Sequence, residues 1–445
     1  MNAFKAYDIR GVYNKDFNKD DVYRVGYFIP KLLGAKTVLV GRDVRISSEE
    51  VFSYLCKGIN DAGANVDSIG LATTPMVYFA TARLGYDASV QITASHNPKE
   101  YNGLKISKAL ALPVGADSGL KELERMVNED TITVTEKKGI VKEIDIKQLY
   151  LDFFKPFTPD VSGLDLSIDN SNGMVNLLIK DILGDQPHYL FDVLDGTFPN
   201  HEPNPLIEKN VQDLKDAVKA NKSDLGIIFD GDADRVMFVD ENGRFIPPDI
   251  ITAVIGSTFL KGEKEYILQD IRTSRSTTEY LERLGAQVYT WKVGHAYAKA
   301  KMRELSAVFG GELAGHYYFK DFYNCDSGIL ACLGVLKVAA SLKRDGKTVS
   351  SLIDEIICYA NSGETNFRIS QKSKAMEALK DEYTKNHTPI KVLDFDGYRI
   401  EFKDWWFNVR PSNTEPYLRL VVEAKTQSLL DEKFNKLKGI IERFN

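Results

Sequence analysis

The apolar positions of this chain switch again and again between a period of two and a period near 3.6. Ala88 to Ile92 alternates as a strand does, and Lys36 to Asp43 reads as a strand ending in a turn. Ser47 to Ala62 instead puts Val51, Leu55, Ile59 and Ala62 on one helical face, with Ser48 and Glu50 at its start. Val66 to Leu71 is another strand, and Thr74-Pro75 opens a helix through Ala82, with proline in the first turn where it is tolerated. Lys121 to Asp130 reads as a charged helix. Strands and helices alternating through short turns predict an α/β unit with a largely parallel sheet.

The same alternation restarts twice. Leu164 to Ile168, Tyr189 to Leu194 and Leu225 to Phe229 read as strands around helices at Met174 to Leu183 and Val211 to Ala220. After Pro247-Pro248 come a helix at Ile250 to Leu260, a strand at Tyr266 to Leu268, a helix at Thr277 to Leu284 and a strand at Gln287 to Trp291. A basic helix through Arg303, a strand at Ala307 to Phe309 and two apolar helices, Gly328 to Leu342 and Val349 to Tyr359, complete this unit. From about residue 363 the pattern changes. Phe367 to Ile369, Gly397 to Phe402, Trp405 to Val409 and Tyr417 to Glu423 read as strands beside an amphipathic helix at Leu429 to Phe444, an α+β arrangement. The expected organisation is three similar α/β domains with mixed sheets, at 1–150, 151–250 and 251–362, followed by a smaller α+β domain at 363–445. A length of 445 residues agrees, at about 150 residues per domain.

Composition narrows the partners. The hydrophobic share of 43% and charged share of 27% are those of a soluble globular protein. A net charge of −6 argues against broad nucleic-acid or membrane binding, so an anionic ligand would need a local basic pocket. The four cysteines, Cys56, Cys325, Cys332 and Cys358, form no CxxC pair or zinc-ligand spacing and suit a reducing cytoplasm. The first residues carry Lys5, Asp8 and Arg10 and no apolar core, so no signal peptide is expected. The longest apolar run, Gly328 to Leu336, is too short to span a bilayer.

Candidate chemistry sits where strands end. Behind Ala88 to Ile92 comes Thr93-Ala94-Ser95-His96-Asn97-Pro98, a loop expected to turn at Asn97-Pro98 and again at Asn102-Gly103. Ser95 on a rigid turn is a candidate nucleophile and Lys105 its base, although such a serine also serves as an ordinary turn former. Behind Leu225 to Phe229, Asp230, Asp232 and Asp234 place hard oxygen ligands at alternate positions, as Mg²⁺ or Ca²⁺ requires. With Glu241 they match the first, third, fifth and twelfth positions of an EF-hand, but the sixth, which must be glycine, is Arg235. Glu312 and His316 lie in a glycine-bounded loop, and Arg410-Pro411-Ser412-Asn413-Thr414 combines a guanidinium, hydroxyls and an amide into an oxyanion clamp between two strands.

Together these motifs resemble the α-D-phosphohexomutase family, closest to its phosphomannomutase/phosphoglucomutase branch, and in the family's order from Tyr7 to Pro416. The resemblance implies a central cleft and a terminal domain similar to the TATA-binding-protein fold. It makes Ser95 a phosphoserine that shares Mg²⁺ with Asp230, Asp232 and Asp234. Lys105 would be the general base, assisted by Arg10 and His96, with Tyr7 lining the cleft and Arg235 touching substrate. Glu312 and His316 would bind the 3- and 4-hydroxyls of a hexose, with Ala314 where relatives often have serine. Arg410, Ser412, Asn413 and Thr414, joined by His295 and by Arg272 in place of a frequent lysine, would hold the second phosphate. The implied reaction moves a phosphoryl group between positions 1 and 6 of mannose or glucose phosphate, through a hexose 1,6-bisphosphate, in a cytoplasmic monomer or homodimer. Three rival readings are a phosphoglucosamine mutase, a metal-dependent sugar-phosphate phosphatase, and a non-catalytic sugar-phosphate or Ca²⁺-binding module.

Overall fold

Ala88–Ile92 is buried along its whole length, as a strand covered on both faces of its sheet must be. In the computed structural model, which describes residues 1–260, 262, 264–412 and 417–444, it lies in the middle of a mixed sheet. The strand order there is Ile9–Val12, Tyr101–Lys108, Ala88–Ile92, Thr37–Arg42, Asn65–Leu71, Val141–Glu143, with Leu112–Pro113 added on Tyr101–Lys108. The strands from Ala88–Ile92 to Val141–Glu143 run parallel, Tyr101–Lys108 returns antiparallel to Ala88–Ile92, and Ile9–Val12, antiparallel to Tyr101–Lys108, runs in the direction of the parallel group again. The helix Lys19–Leu33, capped by Asn18, packs on the helix Ser48–Asp61. The apolar spacing noted above did not single it out.

The second and third sheets repeat this plan. Phe245–Ile246, Val236–Asp240, Leu225–Phe229, Leu166–Asp169 and His188–Leu190 form one. Gln287–Trp291, Tyr266–Asp270, Phe309–Gly311, Tyr317–Phe319 and Cys325–Asp326 form the other. In each, a central strand of a parallel group turns tightly and comes back antiparallel. Those three hairpins, after Ile92, Phe229 and Gly311, carry the candidate motifs.

Two expectations in the second domain fail for local reasons. The helix expected over Met174 to Leu183 is broken into a 3₁₀ turn, Met174–Leu177, and a short helix, Ile179–Leu183. The Asn176 side chain donates to the Gly173 carbonyl at 3.0 Å, competing with the helical ladder. The strand expected to reach Leu194 stops at Leu190, because Phe191 turns into the left-handed region at φ 51°.

The fourth sheet is antiparallel throughout, ordered Ala360–Asn361, Leu418–Ala424, Trp405–Pro411, Tyr398–Glu401, Lys391–Leu393, with Thr365–Phe367 also on Leu418–Ala424. The helices Lys372–Lys385, which the sequence reading passes over, and Gln427–Ile441 pack against it. One continuous apolar core runs through parts of the first three domains, uniting Phe79, Tyr150, Phe229, Phe309 and Phe322. The fourth domain has a separate core around Leu379, Phe407 and Leu420. No helix of the described residues is long and apolar enough to cross a membrane.

Candidate active site

Ser95 follows the buried end of Ala88–Ile92 in the left-handed region, at φ 52°, with its N–H donating to Thr93 Oγ1 at 2.9 Å. That conformation aims the side chain out of the first domain. Its Oγ donates to Asp230 Oδ2 of the second domain at 2.8 Å and lies 3.4 Å from His96 Nδ1. The expected second turn at Asn102-Gly103 is not one: both residues lie inside the strand Tyr101–Lys108. Gly103 is there because Ile9–Val12 passes too close for a side chain, and a Cβ would fall 2.2 Å from the Ile9 carbonyl oxygen. That neighbouring strand sets Arg10 opposite Gly103, and its guanidinium donates to Asn97 Oδ1 of the serine loop at 2.9 Å and to Asp8 at 2.5 Å. The half-buried His96 imidazole is held well below its ordinary range by burial and then by Arg235 and Arg10, so it stands neutral beside the serine.

Asp230, Asp232 and Asp234 occupy the tight hairpin between Leu225–Phe229 and Val236–Asp240, all buried, with one oxygen of each within 4.8 Å of the others. Gly231 lets the hairpin meet the serine loop, since a Cβ there would sit 2.6 Å from the Ser95 carbonyl oxygen. Burial and the crowding of Asp232 and Asp234 push the Asp230 carboxyl well up. Asp234 is held well below the usual range because Lys105, His316 and Arg235 outweigh its burial. Asp232 Oδ1 and Asp234 Oδ1 have no hydrogen-bond partner among the described residues. Three crowded carboxylates, two of them with an unpartnered oxygen, fit a small hard dication such as Mg²⁺. The EF-hand alternative closes here as well: the flanks are strands, and Glu241 is taken by Ser350, whose N–H it accepts at 3.2 Å.

Lys105 Nζ lies 2.7 Å from Asp232 Oδ2 and 2.5 Å from Asp234 Oδ2. Those carboxylates overcome burial and raise its pKa, so in this arrangement Lys105 is a charged ammonium with no site for a proton. The base role expected from sequence is therefore not seen in this arrangement, where Lys105 is ion-paired. A dication sharing the same carboxylates would weaken the field that holds the proton, which ties any base role to the loaded site.

The hairpin between Phe309–Gly311 and Tyr317–Phe319 presents Glu312, the half-buried Ala314 and His316. His316 Nδ1 meets Asp326 Oδ2 at 2.7 Å, and Nε2 accepts from Arg235 Nε at 3.0 Å. A guanidinium can only donate, so the ring proton sits on Nδ1. Asp326 in turn lies 2.7 Å from Lys299 Nζ, and that fully buried lysine stands 3.5 Å from the centre of the Tyr78 ring. Glu312 accepts the Gly294 N–H at 2.9 Å, and burial pushes its carboxyl up. His295 packs edge-on to Tyr7, 5.6 Å between centroids, and burial keeps it well below the ordinary histidine value. Tyr7 OH donates to the Val293 carbonyl at 3.2 Å.

The guanidinia expected at a phosphate lie at the junction of the third and fourth domains, each against a carboxylate. Arg272 bonds both oxygens of Asp270, at 3.1 and 2.7 Å, and reaches Glu364 Oε2 at 3.2 Å. Arg410, almost fully buried, lies 3.4 Å from Asp396 Oδ1, while Asp396 Oδ2 accepts the Val293 N–H at 2.8 Å. The half-buried Ser412 donates its N–H to the Tyr417 carbonyl at 2.9 Å. Asn413 and Thr414 lie outside the described residues.

Thus Ser95, His96, Lys105, Arg235, His316 and the three aspartates form one network drawn from three domains. Arg272 and Arg410 gather at its other side. The sequence reading missed Arg45, Lys299, Asp326, Glu364 and Asp396 as partners. A buried acid or base far from its partner in sequence carries no motif, so spacing offered no signal for them.

Family models of the phosphoglucomutase/phosphomannomutase α/β/α domains I, II and III match residues 1–133, 148–243 and 247–359, and the C-terminal domain model matches 364–437. A phosphomannomutase of Vibrio cholerae is 36% identical across 100% of this chain and 99% of its own length. One of Methanocaldococcus jannaschii is also 36% identical, across 100% of this chain and 98% of its own. Among solved structures, a phosphoglucomutase/phosphomannomutase family protein of Burkholderia thailandensis superposes with a TM-score of 0.87 at 29% identity, covering 99% of this chain and 97% of that one. The chain belongs to the phosphoglucomutase/phosphomannomutase family of α-D-phosphohexomutases and is a phosphohexomutase.

Proposed function

We propose that the chain interconverts the 1- and 6-phosphates of mannose or glucose through a phosphorylated Ser95 and a hexose 1,6-bisphosphate. The 6-hydroxyl oxygen of the hexose 1-phosphate attacks the phosphorus on Ser95 as the P–Oγ bond breaks, and its proton passes to Lys105, which serves as base only in its neutral form, with Asp232 and Asp234 engaged by the metal. The bisphosphate turns end for end, Ser95 Oγ attacks the phosphorus at carbon 1 as the P–O1 bond breaks, and the proton held by Lys105 passes to the departing O1. Asp230, Asp232 and Asp234 would hold Mg²⁺, which when bound neutralises charge on the transferring group. Arg10 and Arg235 add fixed positive charge there, and His96 stays neutral. Glu312 grips one sugar hydroxyl through its carboxyl, and His316 accepts another at Nε2 in exchange for the Arg235 contact it makes here. Arg410, Ser412, Asn413 and Thr414, with Arg272 and His295, hold the phosphate that is not reacting.

The observation that carries this reading is the 2.8 Å contact between Ser95 Oγ and Asp230 across a domain boundary. A serine serving only as a turn former has no reason to point at three crowded carboxylates. Ser95→Ala is expected to lower kcat by about 10⁴-fold or more, as loss of a covalent nucleophile does, with Tm nearly unchanged. Wild-type protein treated with the bisphosphate should gain one phosphate, mapped to the Ser95 peptide by mass spectrometry. Coupled assays with mannose, glucose and glucosamine 1-phosphates rank the substrates. Phosphate release matching turnover would instead make the protein a phosphatase.

A further inference from the structure

The loop that bears Ser95 has backbone carbonyls but no ladder of its own to satisfy them, and buried carbonyls need donors. A single side chain supplies many of them. Arg45, 2% exposed, donates through Nη2 to the carbonyls of Ser95 at 2.8 Å and Asn97 at 2.6 Å. Through Nη1 it donates to those of Pro98 at 2.6 Å and Tyr101 at 3.2 Å. The guanidinium is itself anchored: Nε lies 3.1 Å from Asp43 Oδ2, and Asp43 Oδ1 accepts both the Arg45 N–H at 3.0 Å and the Ser48 hydroxyl at 2.5 Å. Its other face looks toward the second domain, where the Phe198 ring centre is 5.0 Å away and Gly196 forms a parallel bridge to Arg45.

We infer that Arg45 is a positioning residue for phosphoryl transfer, holding the 95–101 backbone in the shape that aims the Ser95 hydroxyl at the acidic hairpin. Two features of the geometry carry this beyond a general structural role. The Ser95 carbonyl that Arg45 holds is the same one that abuts Gly231 of the acidic hairpin. Ser95 also occupies the left-handed region, where a non-glycine backbone persists only if its surroundings fix it. The planar fork of a guanidinium reaches several carbonyls at once; a lysine ammonium is one point on a flexible stem and cannot. In-line transfer is sensitive to such slack, because small misplacements of the reacting atom cost rate rather than binding.

The inference rests on the reading that Ser95 carries the transferred phosphoryl group, and the test separates the two. Arg45→Lys keeps a cation beside Asp43 and is expected to fold, with Tm within a few degrees of wild type. Its kcat should fall by about 30- to 100-fold while KM for hexose 1-phosphate stays within about threefold. Adding methylguanidine to Arg45→Ala should restore part of the lost kcat. Asp43→Asn, which leaves the guanidinium in place but weakens its anchor, should lose about three- to tenfold in kcat on the same pattern, and serves if either Arg45 variant fails to fold. Either variant turning over like wild type, or losing kcat only in step with its folded fraction, overturns the inference. If peptide mapping finds the wild-type phosphate on a residue other than Ser95, the Ser95 reading falls and the inference with it. Phosphate on Ser95 together with normal turnover in the variants sinks the inference alone.

Discussion

The junction among the first three domains and the junction between the third and the fourth are built from different materials. The former is apolar: Phe79, on the first domain's helix Thr74–Leu84, and Tyr150 and Phe153, on the helix Lys147–Phe154 that leads into the second, close over Phe322 of the third, with ring centroids 5.0 to 6.5 Å apart. The latter is mainly polar, with an aromatic contact, Trp291 against Phe395 at 5.3 Å between centroids. Arg399 donates to the Ile271 and Thr273 carbonyls at 2.9 and 2.7 Å, and Arg275 reaches Glu401 at 3.2 Å. Glu364 and Asp396 add bridges to Arg272 and to the Val293 N–H. A shared apolar core cannot be opened without exposing it to water, whereas hydrogen bonds and ion pairs can be exchanged for water at modest net cost. The serine, the acidic hairpin and the sugar loop therefore ride on one fixed body. Arg410 rides on a domain with its own core, joined to that body mainly through polar contacts.

Four measurements would break or sharpen that contrast. On the fixed side, Asp230→Asn removes one of three crowded charges. Activity should fall by about 10²- to 10³-fold, in keeping with loss of an oriented charge at the reacting centre. Yet Tm without Mg²⁺ should rise by about 1–3 °C, as relief of like-charge crowding implies. A fall in metal-free Tm would mean that the hairpin is not held against its own repulsion. On the fourth domain's side, Arg410→Ala should cost about 10- to 100-fold in kcat/KM, carried mainly by KM, the effect of losing charged hydrogen bonds to a bound anion. An effect confined to kcat would place Arg410 at the reacting phosphate.

Smaller effects are expected at the polar junction itself. Arg399→Met should raise KM about three- to tenfold, from loss of one or two ordinary bonds that orient the fourth domain, and should speed amide exchange at residues 271–273. Unchanged exchange would show that the polar junction is held elsewhere. The mildest test is pH. Burial, followed by the charges of Glu423 and Asp270, raises the Asp249 carboxyl from 3.8 to about 6, beneath the loop that presents Arg272. A carboxyl raised in the folded state favours folding when protonated. Its contribution is full below the unfolded value of about 3.8 and is lost as pH rises through about 6. Asp249→Asn should flatten the dependence of Tm on pH across that window, and a parallel curve would place the titration on another group.

Much of this was legible from residue order. The apolar run Leu225–Phe229 located a strand because burial on both sheet faces leaves that signature, and Ala88–Ile92 showed through its alternation, although its polar Ser89 and Gln91 are buried as well. The hard ligands at Asp230, Asp232 and Asp234 marked their loop because coordination requires those atoms at that spacing. Sequence misjudged Asn102-Gly103, where a glycine that usually makes a turn instead admits a neighbouring strand, and Met174–Leu183, where the Asn176 side chain breaks a helix its apolar neighbours favour.

The chain order by itself thus determined the elements, the family motifs and the kinds of chemistry available, since those depend on side-chain type and on neighbours a few residues apart. Only the folded structure decided that Lys105 stands as a cation between Asp232 and Asp234, that Asp326 fixes the proton of His316, and that Arg45 gathers the carbonyls behind Ser95. Protonation and orientation follow from charges and burial contributed by segments more than a hundred residues away, or by groups that become neighbours only in the fold, and no local pattern encodes them.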